Sequence, residues 1–240
     1  MKKRRAPRPT LPTPAKPAVA ASLRAKLRSL FAPSVAIDDP SAAAGAAYLA
    51  SKSIPLHVAS AGRVCFAPDW CGSPCVVFPV QDGAGLIVAA EGRRIAPGPT
   101  NSENCTAGQK SGGVFVALPG ALEADGVILC ESPIGALSVA ACGFPAVALC
   151  ERTMPPWLAR QLARRAVFVS LDRLETEARE NAAEIRRALV AVDARPYSLA
   201  PPDRAGDWND YLQAVGPAAM CDTLSTAMRS AESPGVALES

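Results

Sequence analysis

Two apolar runs of this chain each close on a carboxylate: residues 126–131 read GVILCE and residues 166–172 read AVFVSLD. Two carboxylates at the mouths of neighbouring strands can hold a hard divalent cation, since Mg²⁺ takes a few carboxylates together with water and phosphate oxygens. The same placement also serves without any ligand, because an acid ahead of a helix gains up to about 1 kcal/mol from the helix dipole. Position alone leaves Glu131 and Asp172 open to both uses. The basic candidates are Arg93 and Arg94, which follow Gly92 at a strand end, and Lys110, in a Gly/Ser-rich loop. Arg forks phosphate bidentately, Lys supplies a point charge, and a Gly-rich backbone allows close approach. Taken singly, each is more often an ordinary solvated residue. Trp70 and Trp208 have faces on which a base could stack, but core packing is the expected use of both.

The elements that must position these residues differ between the two halves of the chain. After residue 120, apolar runs at 126–131, 146–150 and 166–172, with a weaker one at 196–199, alternate with helical stretches at 133–142, 155–165 and 176–192. That rhythm predicts a parallel sheet with helices on both faces, whose chemistry sits at the carboxyl ends of the strands. Glu131 and Asp172 stand at two such ends. Upstream, two short helices are expected over 41–61, with a turn at Ile54-Pro55. Two β-rich runs, 75–82 and 85–95, are separated by the hairpin signal Asp82-Gly83. A loop over 96–113 then leads into a strand at 114–118.

Composition narrows the function classes. A hydrophobic content of 49% with 20% charged residues describes a globular chain. No apolar stretch reaches the roughly 18 residues of a membrane helix; the run 136–150 is broken by Gly143 and Pro145. Prolines 7, 9, 12, 14 and 17 oppose both a secretory signal and an amphipathic transit helix. Cysteines lack C-x-x-C spacing and His57 is the single histidine, so a Cys/His zinc module has no ligand set; Cys71 and Cys75 come nearest to a pair. Cys130, Cys142 and Cys150 lie in apolar runs, where a thiol packs as a small hydrophobe. Reduced thiols and a cytoplasmic setting are expected.

The net charge of +3 hides a division. Nine basic residues (Lys2, Lys3, Arg4, Arg5, Arg8, Lys16, Arg24, Lys26 and Arg28) precede the first acid, Asp38; removing them from 25 leaves 16 basic residues against 22 acidic. A basic Pro/Ala-rich arm, expected to be disordered, precedes a mildly acidic body. Such an arm either binds phosphates without sequence preference or serves as a solubilising tail. Within it, Leu23, Leu27 and Leu30 have the spacing of a short amphipathic helix.

Residues 127–138 (VILCESPIGALS) resemble the first motif of a Toprim domain, a strand ending in Glu followed by a turn, Asp-Ala-Leu and a helix. Residues 167–178 (VFVSLDRLETEA) resemble the second, a strand ending in Asp-x-Asp. Asp207-Trp208-Asn209-Asp210-Tyr211-Leu212 is similar to the segment that closes this module in bacterial, phage and plasmid DNA primases. Tyr48 to Val80, Glu91-Gly92-Arg93-Arg94 and residues 108–113 resemble the small subdomain ahead of it. The resemblance covers about residues 41–215. It implies an α/β fold: a Toprim-like, Rossmann-like parallel sheet with helices on both faces over 121–216, a small α+β subdomain over 41–120, and a C-terminal helix or tail over 217–240.

The resemblance implies Glu131 as general acid/base, Asp172 as a Mg²⁺ ligand, and Arg93, Arg94 and Lys110 toward template or nucleoside triphosphate. Asp207, Asn209 and Asp210 are assigned to the same nucleotide or nucleic-acid surface. DNA or RNA-primed DNA, nucleoside triphosphates and a replicative helicase are the implied partners, with no membrane. Two departures matter. Gly135 stands where the family has Asp, and Leu174 stands where the second Asp of Asp-x-Asp belongs. Glu175 is the candidate substitute ligand, one position late, which on a helix turns a side chain roughly 100°; Glu177 is three positions late. The chain is therefore read either as an Mg²⁺-dependent primase-like nucleotidyltransferase of DNA replication or as an eroded module that binds DNA or a replication partner without synthesis. The basic arm occupies the place where many primases carry a zinc-binding template reader. A topoisomerase would need a further tyrosine-bearing domain, and a dinucleotide-binding protein would need a G-x-G-x-x-G turn, which is missing.

Overall fold

The computed structural model describes residues 31–96, 104–151, 153–171, 176–202 and 205–232, together with residues 25 and 29; Asp172, Glu175 and nearly all of the basic arm lie outside the described residues. The first half builds an antiparallel sheet. Its strands β1 (Val35–Ala36), β2 (Cys65–Ala67), β3 (Cys75–Gln81), β4 (Ile87–Arg94) and β5 (Asn104–Gly108) follow one another in sequence order. Asp82 turns the β3–β4 hairpin: its Oδ1 accepts the N–H groups of Ala84 and Leu86 at 2.9 and 3.0 Å. Between β1 and β2, a 3₁₀ turn (Pro40–Ala42) capped by Asp39 leads into α1 (Ala43–Ser51), and α2 (Leu56–Ala61) follows the Ile54-Pro55 turn. Gly45 lets α1 lie close on the sheet, since a Cβ there would stand 2.9 Å from the Phe66 ring.

The second half builds the expected parallel sheet. Its elements are β6 (Phe115–Val116), β7 (Gly126–Cys130), α3 (Pro133–Ala140), β8 (Ala146–Ala148), α4 (Pro156–Gln161), β9 (Ala166–Ser170), α5 (Thr176–Val190), β10 (Arg195–Ser198) and α6 (Trp208–Glu232). The strand order is β10-β9-β7-β8-β6, parallel throughout except for β6. Alternate residues divide between the two faces, as the pleat requires. Val127, Leu129, Val167 and Val169 pack with Leu158 of α4, Leu162 just past its end, and Ile185 and Leu189 of α5. Ile128, Cys130 and Phe168 face α3, and the same cluster continues into Phe66, Val76, Phe78 and Val80 of the antiparallel sheet. Phe78 meets Phe115 edge-to-face, centroids 5.6 Å apart at 83°. Gln81 and Val114 exchange both backbone hydrogen bonds at 2.8 and 2.9 Å. The two sheets therefore share one apolar core.

Three observations depart from the sequence reading. The expected loop over 96–113 contains β5, an edge strand whose inward positions are the small Cys105 and Ala107, too slight to register as an apolar run. The Cys71 and Cys105 sulfurs form a disulfide that ties the loop after β2 to β5, correcting the expectation of reduced thiols at that pair; Cys65, Cys75, Cys130, Cys142, Cys150 and Cys221 are free. The C-terminal stretch is part of the core: α6 breaks at Gly216 (φ +79°) and resumes at Pro217, and Met220 and Leu224 are fully buried. No helix among the described residues is long and apolar enough to cross a membrane.

Phe115→Ala would delete the ring that joins the sheets. The expected loss is about 3–5 kcal/mol, measured as a lower urea midpoint with an unchanged slope by circular dichroism.

Candidate functional site

The chain leaves β7 for β8 on one side and returns past β7 to β9 on the other. Strand order reverses between β7 and β9, which opens a crevice at their carboxyl ends. In that pair Cys130 lies opposite Ser170, so Glu131 follows directly at the crevice edge, half-exposed. The turn after it is set locally: Ser132 caps α3, its Oγ accepting the Gly135 N–H at 3.1 Å, and Pro133 occupies the first helical turn, where it has no hydrogen bond to lose. A Cβ on Gly135 would come within 3.2 Å of that same Oγ. The Glu131 carbonyl accepts the N–H of Cys150 at 3.0 Å, which ties the end of β7 to the residue just beyond β8.

The segment Asp207-Trp208-Asn209-Asp210 holds this arrangement from behind. The buried Trp208 indole donates to Ser170 Oγ at the end of β9, at 2.7 Å. Asp207 is the N-cap of α6, its Oδ1 accepting the Asp210 N–H at 2.8 Å, while Asp210 itself is exposed. Asn209 is 3% exposed. Its Nδ2 donates to the Lys52 carbonyl at 2.8 Å and to Ser138 Oγ at 2.9 Å, and its Oδ1 accepts from Gln213 Nε2 at 2.8 Å. This corrects its assignment to a nucleic-acid surface: with both donors and its acceptor engaged inside the fold, Asn209 joins α6 to α1 and α3.

The basic candidates separate. Successive residues of a strand point to opposite faces. Arg93 and Glu91 stand in register with Val76 and Phe78, on the face turned to the parallel sheet. Arg94 shares the other face with Gly92, which lies directly against Trp70: a Cβ on Gly92 would be 2.5 Å from the indole ring. Lys110 opens a 3₁₀ turn (Lys110–Gly112), and its Nζ donates to Glu91 Oε2 at 2.8 Å. The indole of Trp157 in α4 donates to the Gly112 carbonyl at 2.8 Å and packs over Gly83 at the hairpin tip. That clasp holds the Lys110 turn beside the parallel sheet. Burial pushes the Cys150 thiol up from its ordinary range, and the negative charge of Glu91 pushes it further while Lys110 opposes. The Glu91–Lys110 pair therefore lies within electrostatic reach of Cys150, and so of the residue bonded to the Glu131 carbonyl.

Residues 126–218 match the Toprim_3 family, a Toprim domain. This part of the chain is a Toprim domain. Solved structures extend the likeness to most of the chain. The DnaG primase catalytic domain bound to ssDNA superposes with a TM-score of 0.66 at 16% identity, covering 88% of this chain and 80% of that one. The RNA polymerase domain of Mycobacterium tuberculosis primase DnaG gives 0.63 at 16%, covering 90% and 86%. The zinc-binding and RNA polymerase domains of Aquifex aeolicus primase give 0.61 at 16%, covering 88% of this chain but 59% of the length of that one. At this identity the likeness is one of fold. No curated protein sequence matches.

Against that fold, the Toprim crevice can be tested for Mg²⁺. Among the described residues no three His, Cys, Asp or Glu side chains converge as a metal cluster, and Glu91 is committed to Lys110. Glu131 alone does not make a Mg²⁺ site; Asp172 and Glu175, the other candidate ligands, lie outside the described residues. Three residues near the Toprim mouth were not among the site candidates of the sequence: Glu91, Cys150 and Trp157. Glu91 read as part of a motif beside two arginines, and only the β4–β5 pairing that sequence patterning missed brings it beneath Lys110.

Asn209→Ala would leave the Lys52 carbonyl without its side-chain donor and remove the bond that Ser138 Oγ accepts, though that hydroxyl still donates to the Ile134 carbonyl, at a cost of about 1–3 kcal/mol. Thermal unfolding should register that loss while single-stranded DNA affinity of the folded variant stays at the parent value.

Proposed function

We propose that this protein acts on nucleic acid in DNA replication as a primase-like module. The Toprim crevice between β7 and β9 receives the phosphates. The observation that carries this reading is the reversal of strand order at β7/β9, with Glu131 at its edge and the Lys110 turn brought to the same mouth by the antiparallel sheet. Glu131 is the residue suited to take or give a proton at an attacking or leaving oxygen. Lys110 and Arg93, both on the side toward the parallel sheet, suit phosphate oxygens of a nucleoside triphosphate or a single-stranded template. The arm, rich in Lys and Arg, adds sequence-independent attraction. Asp172, with Glu175, is the pair this reading assigns to Mg²⁺, whose contribution is to offset charge on phosphate oxygens. The six free thiols fit a cytoplasmic setting, whereas the Cys71–Cys105 disulfide fits an oxidising one.

A second reading has its own support. Leu174 and Gly135 replace two carboxylates of the family pattern. On this reading the protein grips DNA or a replication partner without joining nucleotides.

A template-directed primer assay with Mg²⁺ or Mn²⁺, run beside DNA binding over a salt series, separates the two. Under the first reading primers form, and Glu131→Gln lowers the rate by about 10²–10⁴-fold with template affinity unchanged. Under the second, binding weakens steeply with salt and no primer is made. A protein that neither binds DNA nor makes primers would sink both.

A further inference from the structure

Glu91 has a role that the primase-like reading does not supply. It lies inside the antiparallel sheet at 4% exposure, a position a carboxylate holds only when its charge is compensated. The compensation is Lys110, whose Nζ is 2.8 Å away and whose side chain remains 17% exposed. Lys carries three N–H donors, so the ammonium can keep its bond to Glu91 and still face the mouth. The pair itself is neutral; Glu131, whose carbonyl accepts the Cys150 N–H, and Glu151, next along the chain, stand on the same rim, while Arg93 shares with Glu91 one face of β4. Both backbone supports of the pair are rigid. Glu91 is a central residue of β4, paired on both sides, and the Lys110 turn is clasped by Trp157 through Gly112.

We infer that Glu91 is a specificity-determining counter-charge: it fixes the Lys110 ammonium at the Toprim mouth and cancels its charge, so that bare phosphate is drawn there weakly. The inference rests on the reading of the mouth as a phosphate site. A ligand that brings cations with it, such as a metal-complexed triphosphate, meets no such penalty, whereas metal-free polyphosphate and a DNA backbone do. Glu91→Gln retains the shape and an acceptor oxygen for Lys110 while removing the negative charge.

The test measures binding of sodium tripolyphosphate in EDTA and of a single-stranded oligonucleotide, over a salt series, to the full chain and to Glu91→Gln, Glu91→Asp and the double variant Glu91→Gln/Lys110→Met. The double variant is used because Lys110→Met alone would strand a buried carboxylate. Glu91→Gln should bind tripolyphosphate about five- to tenfold tighter at low salt, the effect of one unit charge at a partly exposed site. Its salt slope for the oligonucleotide should steepen by about 0.7, the increment for one more phosphate on a single strand. Both gains should vanish in the double variant. Glu91→Asp, which lengthens the pair but keeps the charge, should bind no tighter than the parent, and it decides the matter if the Gln variant does not fold. Equal or weaker tripolyphosphate binding by Glu91→Gln, or a gain that survives loss of Lys110, would overturn the inference. If tripolyphosphate binding rises as expected but no variant binds the oligonucleotide, the counter-charge stands and the nucleic-acid reading fails. If all bind the oligonucleotide alike and Glu91→Gln gains nothing, the reverse holds.

Discussion

The arrangement depends on one requirement: the face of the parallel sheet that carries Ile128, Cys130 and Phe168 must be covered, and α3 alone is too short to do it. The antiparallel sheet completes the cover through Phe66, Val76 and Phe78, and the α6 helix does so through Trp208, Leu212 and Met220. Each contributor to that apolar layer carries a polar group to the same edge. The sheet brings Glu91 and Lys110. The helix brings the indole that bonds to Ser170, at the end of β9. Core packing thus decides which side chains reach the crevice, and the chemistry of the mouth follows from where hydrophobic surface had to be buried.

What could be read from the sequence follows from where the hydrophobic signal was strong. Ahead of their closing carboxylates the runs at 126–131 and 166–172 are almost continuously apolar because both faces of β7 and β9 are buried, and from that pattern the parallel sheet and the position of Glu131 could be read directly. β5 could not be found in this way: an edge strand needs apolar residues on one face only, and here these are Cys105 and Ala107. Missing β5 also hid the register that sets Glu91 beneath Lys110. Asn209 was misjudged for a different reason. A polar residue in a motif suggests a ligand, yet Asn209 bridges a helix end and a helix interior, a task set by three partners 4 to 157 residues away, which no local pattern reveals. The assignments of Asp172 and Glu175 rest on sequence alone.

The Glu91–Lys110 pair and the Asn209 bridge illustrate two ways of placing polar groups inside this fold. Asn209 is neutral and fully hydrogen-bonded, so it stabilises the junction of three helices at no electrostatic penalty. Glu91 is charged, and the desolvation of its carboxylate makes the pair at best a modest contributor to stability. A charge kept in such a place acts chiefly on the electrostatics of its neighbours, as it does on the Cys150 thiol.

The turn after Glu131 has a consequence for how the chain can vary. The Ser132 hydroxyl is held by the Gly135 N–H, and it is this hydroxyl that a side chain at position 135 would crowd. The coupling between the two positions is slight: a Cβ at 135 needs the Ser132 hydroxyl to give by a few tenths of an ångström, and an acid there would take the N3 place of a capping box, its carboxylate reaching back to the N–H of the cap residue. An acid at 135 would thus reinforce the helix start that Ser132 opens, and the glycine found there forgoes that second bond.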